Sequence, residues 1–250
     1  MRRLPVWALG GGLLLLLPQA ASATLENVGP SALFAQTATV TFADVPAAYL
    51  NVPEPDFAFQ FGSGPYAGSY MVFGSAFVGQ TLVSSGMPVT QVTVAEPSAP
   101  GQPLALEYSA NDYVEVTDDG ASPTNPVLAG GPLTFRAPVS ILLTEPTSAI
   151  VLTAGYLDSL GTLTIDAYDA SGNEIGAVTN TAMGFETFGL LDPNGVAISG
   201  LTIQSSDPAG FEINDVYLAT SVPEPATLAT LVLSLVGLSV ARRMVRLRAS

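Results

Sequence analysis

In Thr162-Leu163-Thr164-Ile165-Asp166-Ala167, apolar and polar residues alternate. An extended chain turns successive side chains to opposite faces, so Leu163, Ile165 and Ala167 share one face and Thr162, Thr164 and Asp166 the other. The same period recurs in Thr39-Val40-Thr41-Phe42, Val89 to Val94, Tyr113 to Thr117, Ile150 to Thr153, Gly200 to Gln204 and Phe211 to Leu218. Turn clusters cut the runs apart: Gly62-Ser63-Gly64-Pro65, Asp118-Asp119-Gly120, Asp169-Ala170-Ser171-Gly172 and Asp192-Pro193-Asn194-Gly195. Roughly a dozen short strands of this kind predict an all-β fold, an antiparallel β-sandwich of jelly-roll type. Gly 24, Pro 20 and a charged fraction of 11% suit many turns and few solvated helix faces. Two stretches lack the period, Glu96 to Pro103 and Asp118 to Pro132, and are expected as long surface loops of one domain. A division near residue 100 is the alternative.

Charge is segregated along the chain. Six of the seven basic residues are Arg2, Arg3, Arg242, Arg243, Arg246 and Arg248, whereas Thr24 to Val222 carries Arg136 alone against 20 Asp and Glu. Phosphate binding needs cations, so no nucleic-acid partner is expected for that middle. The chain has no His, Cys or Lys. This excludes Ser-His-Asp and Cys-His catalysis, ordinary zinc and haem ligation, disulfides, thiol redox chemistry and Schiff bases.

Both ends look like targeting segments. Arg2-Arg3 precedes an apolar run from Leu4 to Leu17, and Ala21-Ser22-Ala23 is an A-x-A cleavage site, which predicts a signal peptide over 1–23 and a mature start at Thr24. At the other end, Pro223-Glu224-Pro225 is followed by 16 mostly apolar residues, Ala226 to Ala241, and then by Arg242, Arg243, Arg246 and Arg248. A transmembrane helix over 226–241 spans about 24 Å, short of the roughly 30 Å hydrocarbon core. Extension through Met244 and Val245 with snorkelling arginines closes the gap. The positive-inside rule then puts tail 242–250 in the cytoplasm and the acidic domain outside.

This three-part ending, over 221–250, resembles the PEP-CTERM sorting signal of Gram-negative bacteria. The resemblance implies export through the Sec translocon, transient residence in the inner membrane, and processing by an exosortase, a membrane protease functionally analogous to sortase. It implies release to the cell surface or to an exopolysaccharide matrix. Val52-Pro53-Glu54-Pro55 repeats the tetrapeptide, but Asp56-Phe57-Ala58-Phe59-Gln60 follows, without apolar length or arginines, so the triplet alone is not the signal. The stretch from Phe135 to Ala219 is in turn similar to jelly-roll domains of PEP-CTERM proteins, related to galactose-binding-like carbohydrate-binding modules. Those end in a strand of the type Ile-Asp-Asp-Val. Here Ile213-Asn214-Asp215-Val216 stands in its place, with Asn214 where the first Asp would be.

On these grounds the domain over 24–220 is expected to be non-catalytic, binding carbohydrate or serving a structural role in the matrix. With His, Cys and Lys absent, a glycoside hydrolase is the enzymatic alternative. It needs two facing carboxylates, from among Glu107, Glu115, Glu174, Glu186 and Glu212. The other alternative is a calcium-dependent surface adhesin. Calcium takes oxygen ligands, and it is the one cofactor the acidic residues suit: Asp166, Asp169 and Asn173 (with Glu174) around one hairpin, and Asp215. The competing reading of Asp169 to Asn173 is a turn chosen for its backbone. Asp215 breaks the alternation set by Phe211 and Ile213, so either a bulge re-aims the strand or Asp215 is buried and paired. The aromatics Phe57, Phe59, Phe61, Tyr66, Tyr70, Phe73 and Phe77 are expected in the core rather than stacked on sugar.

Overall fold

The structure, a computed structural model, describes residues 25–28, 33–42, 56–109, 111–118, 126–193 and 195–221. The cleavage residues Ala21, Ala23 and Thr24, the motif Pro223-Glu224-Pro225, the apolar stretch 226–241 and Arg242, Arg243, Arg246 and Arg248 lie outside the described residues, as does Asp119.

Among the described residues all regular structure is strand, and every pairing between strands is antiparallel. One sheet runs β1 (Glu26–Asn27), β13 (Gly184–Leu191), β10 (Ala149–Leu157), β15 (Glu212–Ser221), β8 (Val127–Gly131), β7 (Tyr113–Thr117), with β2 (Leu33–Thr41) also on β15. The other runs β12 (Glu174–Thr179), β11 (Leu163–Tyr168), β14 (Ile198–Ser205), β9 (Val139–Thr147), β4 (Tyr70–Gly74), β3 (Asp56–Gln60). Strands from both sides of residue 100 share each sheet.

The two sheets face each other across one core, as in a β-sandwich. The first contributes Ile150, Leu152, Phe188, Leu190, Val216 and Leu218, the second Leu163, Ile165, Leu201, Ile203, Ile141 and Phe73, all at most 1% exposed. Leu163, Ile165 and Ala167 point inward together, as the alternation predicts. Phe57, Phe59, Phe61 and Tyr66 also pack on this core, but Tyr70 is 39% exposed and so departs from the expected set.

Of the two stretches expected as loops, one holds and the other holds only in part. The stretch Asp118 to Pro132 is not a loop throughout: Val127–Gly131 is a strand buried along its whole length. With both faces covered there is no wet face to write an alternation into the sequence. The stretch Glu96 to Pro103 is irregular and largely exposed, as expected of a surface loop, with Ser98 and Pro100 buried. It belongs to a segment, 75–107, that crosses the outer face of the second sheet as a cap. The cap carries a two-stranded hairpin, β5 (Leu82–Ser85) with β6 (Gln91–Val94). Under it Phe77, Leu106 and Tyr168 form a second, smaller core, joined by Leu104, Ala99, Val72 and Leu142. The Phe77 and Tyr168 rings meet edge to face at 5.8 Å.

Candidate functional site

The outer face of the first sheet carries the clearest convergence of polar side chains. A register shift in β15 sets it up: Thr153 pairs with Asp215, yet Ala154 pairs with Ile213, so one extra residue is accommodated. Ile213, Val216 and Leu218 therefore all point into the core, and Asp215 and Tyr217 point out. Of the two outcomes left open for Asp215, the bulge is the one found.

Cross-strand pairing then aligns Thr187, Thr153, Asp215 and Thr41 in a single row over β13, β10, β15 and β2. All four are half-buried. The next row holds Gly189, Val151, Tyr217 and Thr39. The Thr153 and Thr187 hydroxyls are hydrogen-bonded at 3.0 Å. The Tyr217 hydroxyl donates to the Asp215 carboxylate. Burial pushes the Asp215 carboxyl above its ordinary value, and the Tyr217 bond partly offsets this. Burial, then the Asp215 charge, raises the Tyr217 phenol. Phe185, 45% exposed, flanks the row at Gly155, where an added Cβ would meet its ring at 2.6 Å. Strand spacing of about 4.8 Å gives the four-strand row a length of roughly 14 Å. Such a surface offers hydroxyl groups that both donate and accept, a carboxylate that accepts, and aromatic edges.

Farther along the same face lie two buried glutamates. Glu115 faces Ala129, and Ile213 faces Leu128, so Glu212 sits beside Ala129 on the other side. Glu115 is 8% exposed and Glu212 0%. Thr134 Oγ1 donates to Glu115 Oε1, and Asn214 Nδ2 donates to Glu212 Oε1 at 3.3 Å. Phe135 and Tyr156 stack edge to face at 5.4 Å, each with positive φ (70° and 61°), a conformation seldom adopted by bulky residues.

The other carboxylates expected to carry chemistry have local duties. Glu186 caps the turn before β13, accepting from Thr181 N at 2.7 Å and Ala182 N at 2.8 Å. Asp169 does the same within its hairpin: Oδ1 accepts from Ser171 N and Asn173 N, and Oδ2 from Asn173 Nδ2. Burial works against that carboxylate, but bonds from the Asn173 side chain and the backbone of Asn173, Ser171 and Gly172 outweigh it and lower its pKa. Asp166 is on the same hairpin but buried under the cap, whereas Asp215 belongs to the opposite sheet. The hairpin thus brings Asp169 and Asn173 together, while Asp166 is bonded to Gln204 of β14 and Asp215 stands on the other sheet. Among the described residues no three carboxylates gather closely enough to hold a metal ion. Glu107 and Asp112 share a cleft of about 330 Å³ with Ser109, Gln80 and Thr81.

Sequence reasoning identified Asp215 but missed Thr153, Thr187 and Tyr217. Their row runs across strands far apart in sequence, and no local spacing encodes it. No protein-family model, curated protein or solved structure matches the chain.

Proposed function

We propose that the chain is an exported, exosortase-processed envelope or matrix protein, whose jelly-roll-like sandwich holds polysaccharide on the outer face of its first sheet and performs no chemistry. The sorting part rests on one arrangement: Pro223-Glu224-Pro225, a 16-residue mostly apolar stretch and four arginines in the last nine residues. The Sec translocon, the exosortase and, transiently, the inner membrane are its partners on that route. Mass spectrometry of the protein from its own cells should find termini at Thr24 and near Pro223. A folded, released form that still contains Arg248 would count against the route.

The carbohydrate part is supported by the Thr187–Thr153–Asp215–Thr41 row with Tyr217 and Phe185 at its margins. Many hydroxyls in one plane beside aromatic rings match the alternating polar and C–H surfaces of a sugar chain. One Arg against 20 acidic residues between Thr24 and Val222 repels polyanions, so the expected ligand is a neutral polysaccharide. In affinity electrophoresis, neutral glucans or galactans should retard the protein more than alginate does. Thr153→Val with Thr187→Val should weaken that retention about tenfold, equivalent to about 1.4 kcal/mol. Equal retardation of the double variant and the parent would remove the row from the site.

The second reading is a carboxylate-dependent glycoside hydrolase, favoured by Glu115 and Glu212. They stand two strands apart on one face, about 9.6 Å between backbones, a spacing compatible with the carboxyl separation of inverting enzymes. Release of reducing ends from a neutral polysaccharide, lost in Glu212→Gln, would favour it over simple binding.

A further inference from the structure

We propose that Thr202 of β14 and Gln80 of the cap condense into a side-chain ester, with release of ammonia, so that the cap is fastened covalently to the second sheet. The inference does not depend on the sorting or carbohydrate readings. The chain has no Cys and no Lys, so neither a disulfide nor a lysine isopeptide can cross-link it. An ester needs only a hydroxyl and a carboxamide.

Strand alternation and one tight turn bring the two groups together. In β14, Leu201 and Ile203 face the main core, so Thr202 between them faces the cap, beside Ser140 of β9. On the cap, Gln80 N donates to Phe77 O at 3.0 Å, and Phe77 N donates back to Gln80 Oε1 at 2.8 Å. The backbone and the side chain of Gln80 are thus held by the same turn, and the Phe77 amide identifies which end of the carboxamide is oxygen. The other end, Nε2, lies 2.7 Å from Ser98 O, 3.0 Å from Thr202 Oγ1 and 3.2 Å from Tyr168 OH. Two hydrogens face three acceptors, so the carboxamide cannot serve them all. Gln80 is 6% exposed, and Thr202, Ser140 and Tyr168 are fully buried.

Thr202 Oγ1 lies 3.0 Å from Nε2 and 3.5 Å from Oε1 of the same carboxamide. Given standard amide bond lengths, an atom at both distances is no more than about 3.7 Å from Cδ, the carbon between them. Attack proceeds from separations of about 3–3.5 Å, so a shift of a few tenths of an ångström suffices. Groups held this close react as one molecule, without the entropy cost of an encounter.

The step balances with these two side chains alone. Thr202 Oγ1 bonds to Gln80 Cδ, and the negative charge that develops on Oε1 is met by the Phe77 N–H already pointing at it. The Cδ–Nε2 bond then breaks, the hydroxyl proton passes to the adjacent Nε2, and the nitrogen leaves as ammonia. Ser98 O holds a hydrogen of that nitrogen as it departs. Gln80 borders the polar cleft of about 330 Å³ that also holds Glu107 and Asp112, which gives ammonia a way out. On the hydroxyl side Ser140 and Tyr168 are fully buried, which keeps water from the new ester. The bond closes a loop between positions 122 apart, and cross-links over long loops remove the most entropy from the unfolded chain.

Mass spectrometry of the intact, folded protein, unfolded only at injection, tests this. The chain should be lighter than its sequence by the mass of one ammonia. Peptic digestion should yield a branched peptide joining the segment around Gln80 to the segment around Thr202. Hydroxylamine, which cleaves esters faster than amides, should separate the two. Thr202→Val, which keeps the shape and removes the hydroxyl, should restore the full mass, and Thr202→Ser should keep the deficit. The parent's own spectrum decides the matter even if Thr202→Val fails to fold. A folded parent whose mass equals its sequence overturns the proposal, as does a deficit that persists in Thr202→Val. So does a deficit that maps to Asn194-Gly195, where an asparagine can cyclise with the same loss.

Discussion

Phe73→Ala should be the most damaging single truncation in the first half of the chain, costing about 3–5 kcal/mol. Phe73 is fully buried in β4, with its inner face on the main core. Its ring meets Phe42 edge to face at 5.5 Å; Phe42 in turn meets Phe59 at 6.3 Å, and Phe59 meets Phe57 at 5.2 Å. These rings close the side of the sandwich where β3 is the last strand of its sheet. An edge strand has neighbours on one side only, so it depends on such packing. A void at Phe73 removes the transfer energy of the ring and loosens the row beyond it. In a domain of this size the loss corresponds to a fall in melting temperature of roughly 10 °C. Tyr70→Ala, three residues away in the same strand at a side chain 39% exposed, should cost about 0.5 kcal/mol or less. Urea unfolding followed by ellipticity measures both. A Phe73→Ala loss no larger than that of Tyr70→Ala would mean that the aromatic row is not a connected part of the core.

The contrast between those two residues shows how far the sequence alone is legible. Period-two alternation located β11, β14, β10 and β15, because each has one face on the main core and a second face of different character. It missed β8, whose Val-Leu-Ala-Gly-Gly is covered on both faces. There the small residues are dictated by neighbours: a Cβ on Gly130 would come within 2.4 Å of Ala137 O, and one on Gly131 would enter the Tyr113 ring. It placed Asp166 correctly on the face opposite Leu163 and Ile165, but carried no sign that this face is covered. What makes it dry is the cap, whose contacts with β11 and β14 join residues some 70 to 120 positions apart. The bulge at Asp215 was legible as an interruption of alternation, since Ile213 and Val216 cannot both face inward without it. The threonine row was not legible, because it exists only once four strands are in register.

The cap also supplies the second large expected effect, at Gly172. This residue closes the β11–β12 turn with φ +77°, and a Cβ there would stand 2.1 Å from Gln102 O, a backbone atom of the cap. Gly101 N donates to Gly172 O at 3.1 Å and Leu104 N to Ala170 O at 3.3 Å, so the turn and the cap are sewn together at that point. Gly172→Ala thus carries two penalties. The left-handed backbone costs roughly 1–2 kcal/mol for a residue with a Cβ. The clash cannot be relieved by a side-chain rotation, so the cap must lift or the turn must shift, bringing the expected total to about 3 kcal/mol. Gly161→Ala separates the two, because Gly161 has a similar φ of +70° and nothing within 4 Å of its added Cβ. It should show the backbone term alone. The difference between the two variants, measured by urea unfolding, estimates the penalty of displacing the contact between the cap and the turn. Limited proteolysis should show where it acts, with cleavage within 75–107 accelerated in Gly172→Ala and unchanged in Gly161→Ala. Equal losses in the two variants, with equal cleavage, would mean that the cap rests on the second sheet without being held there by this turn.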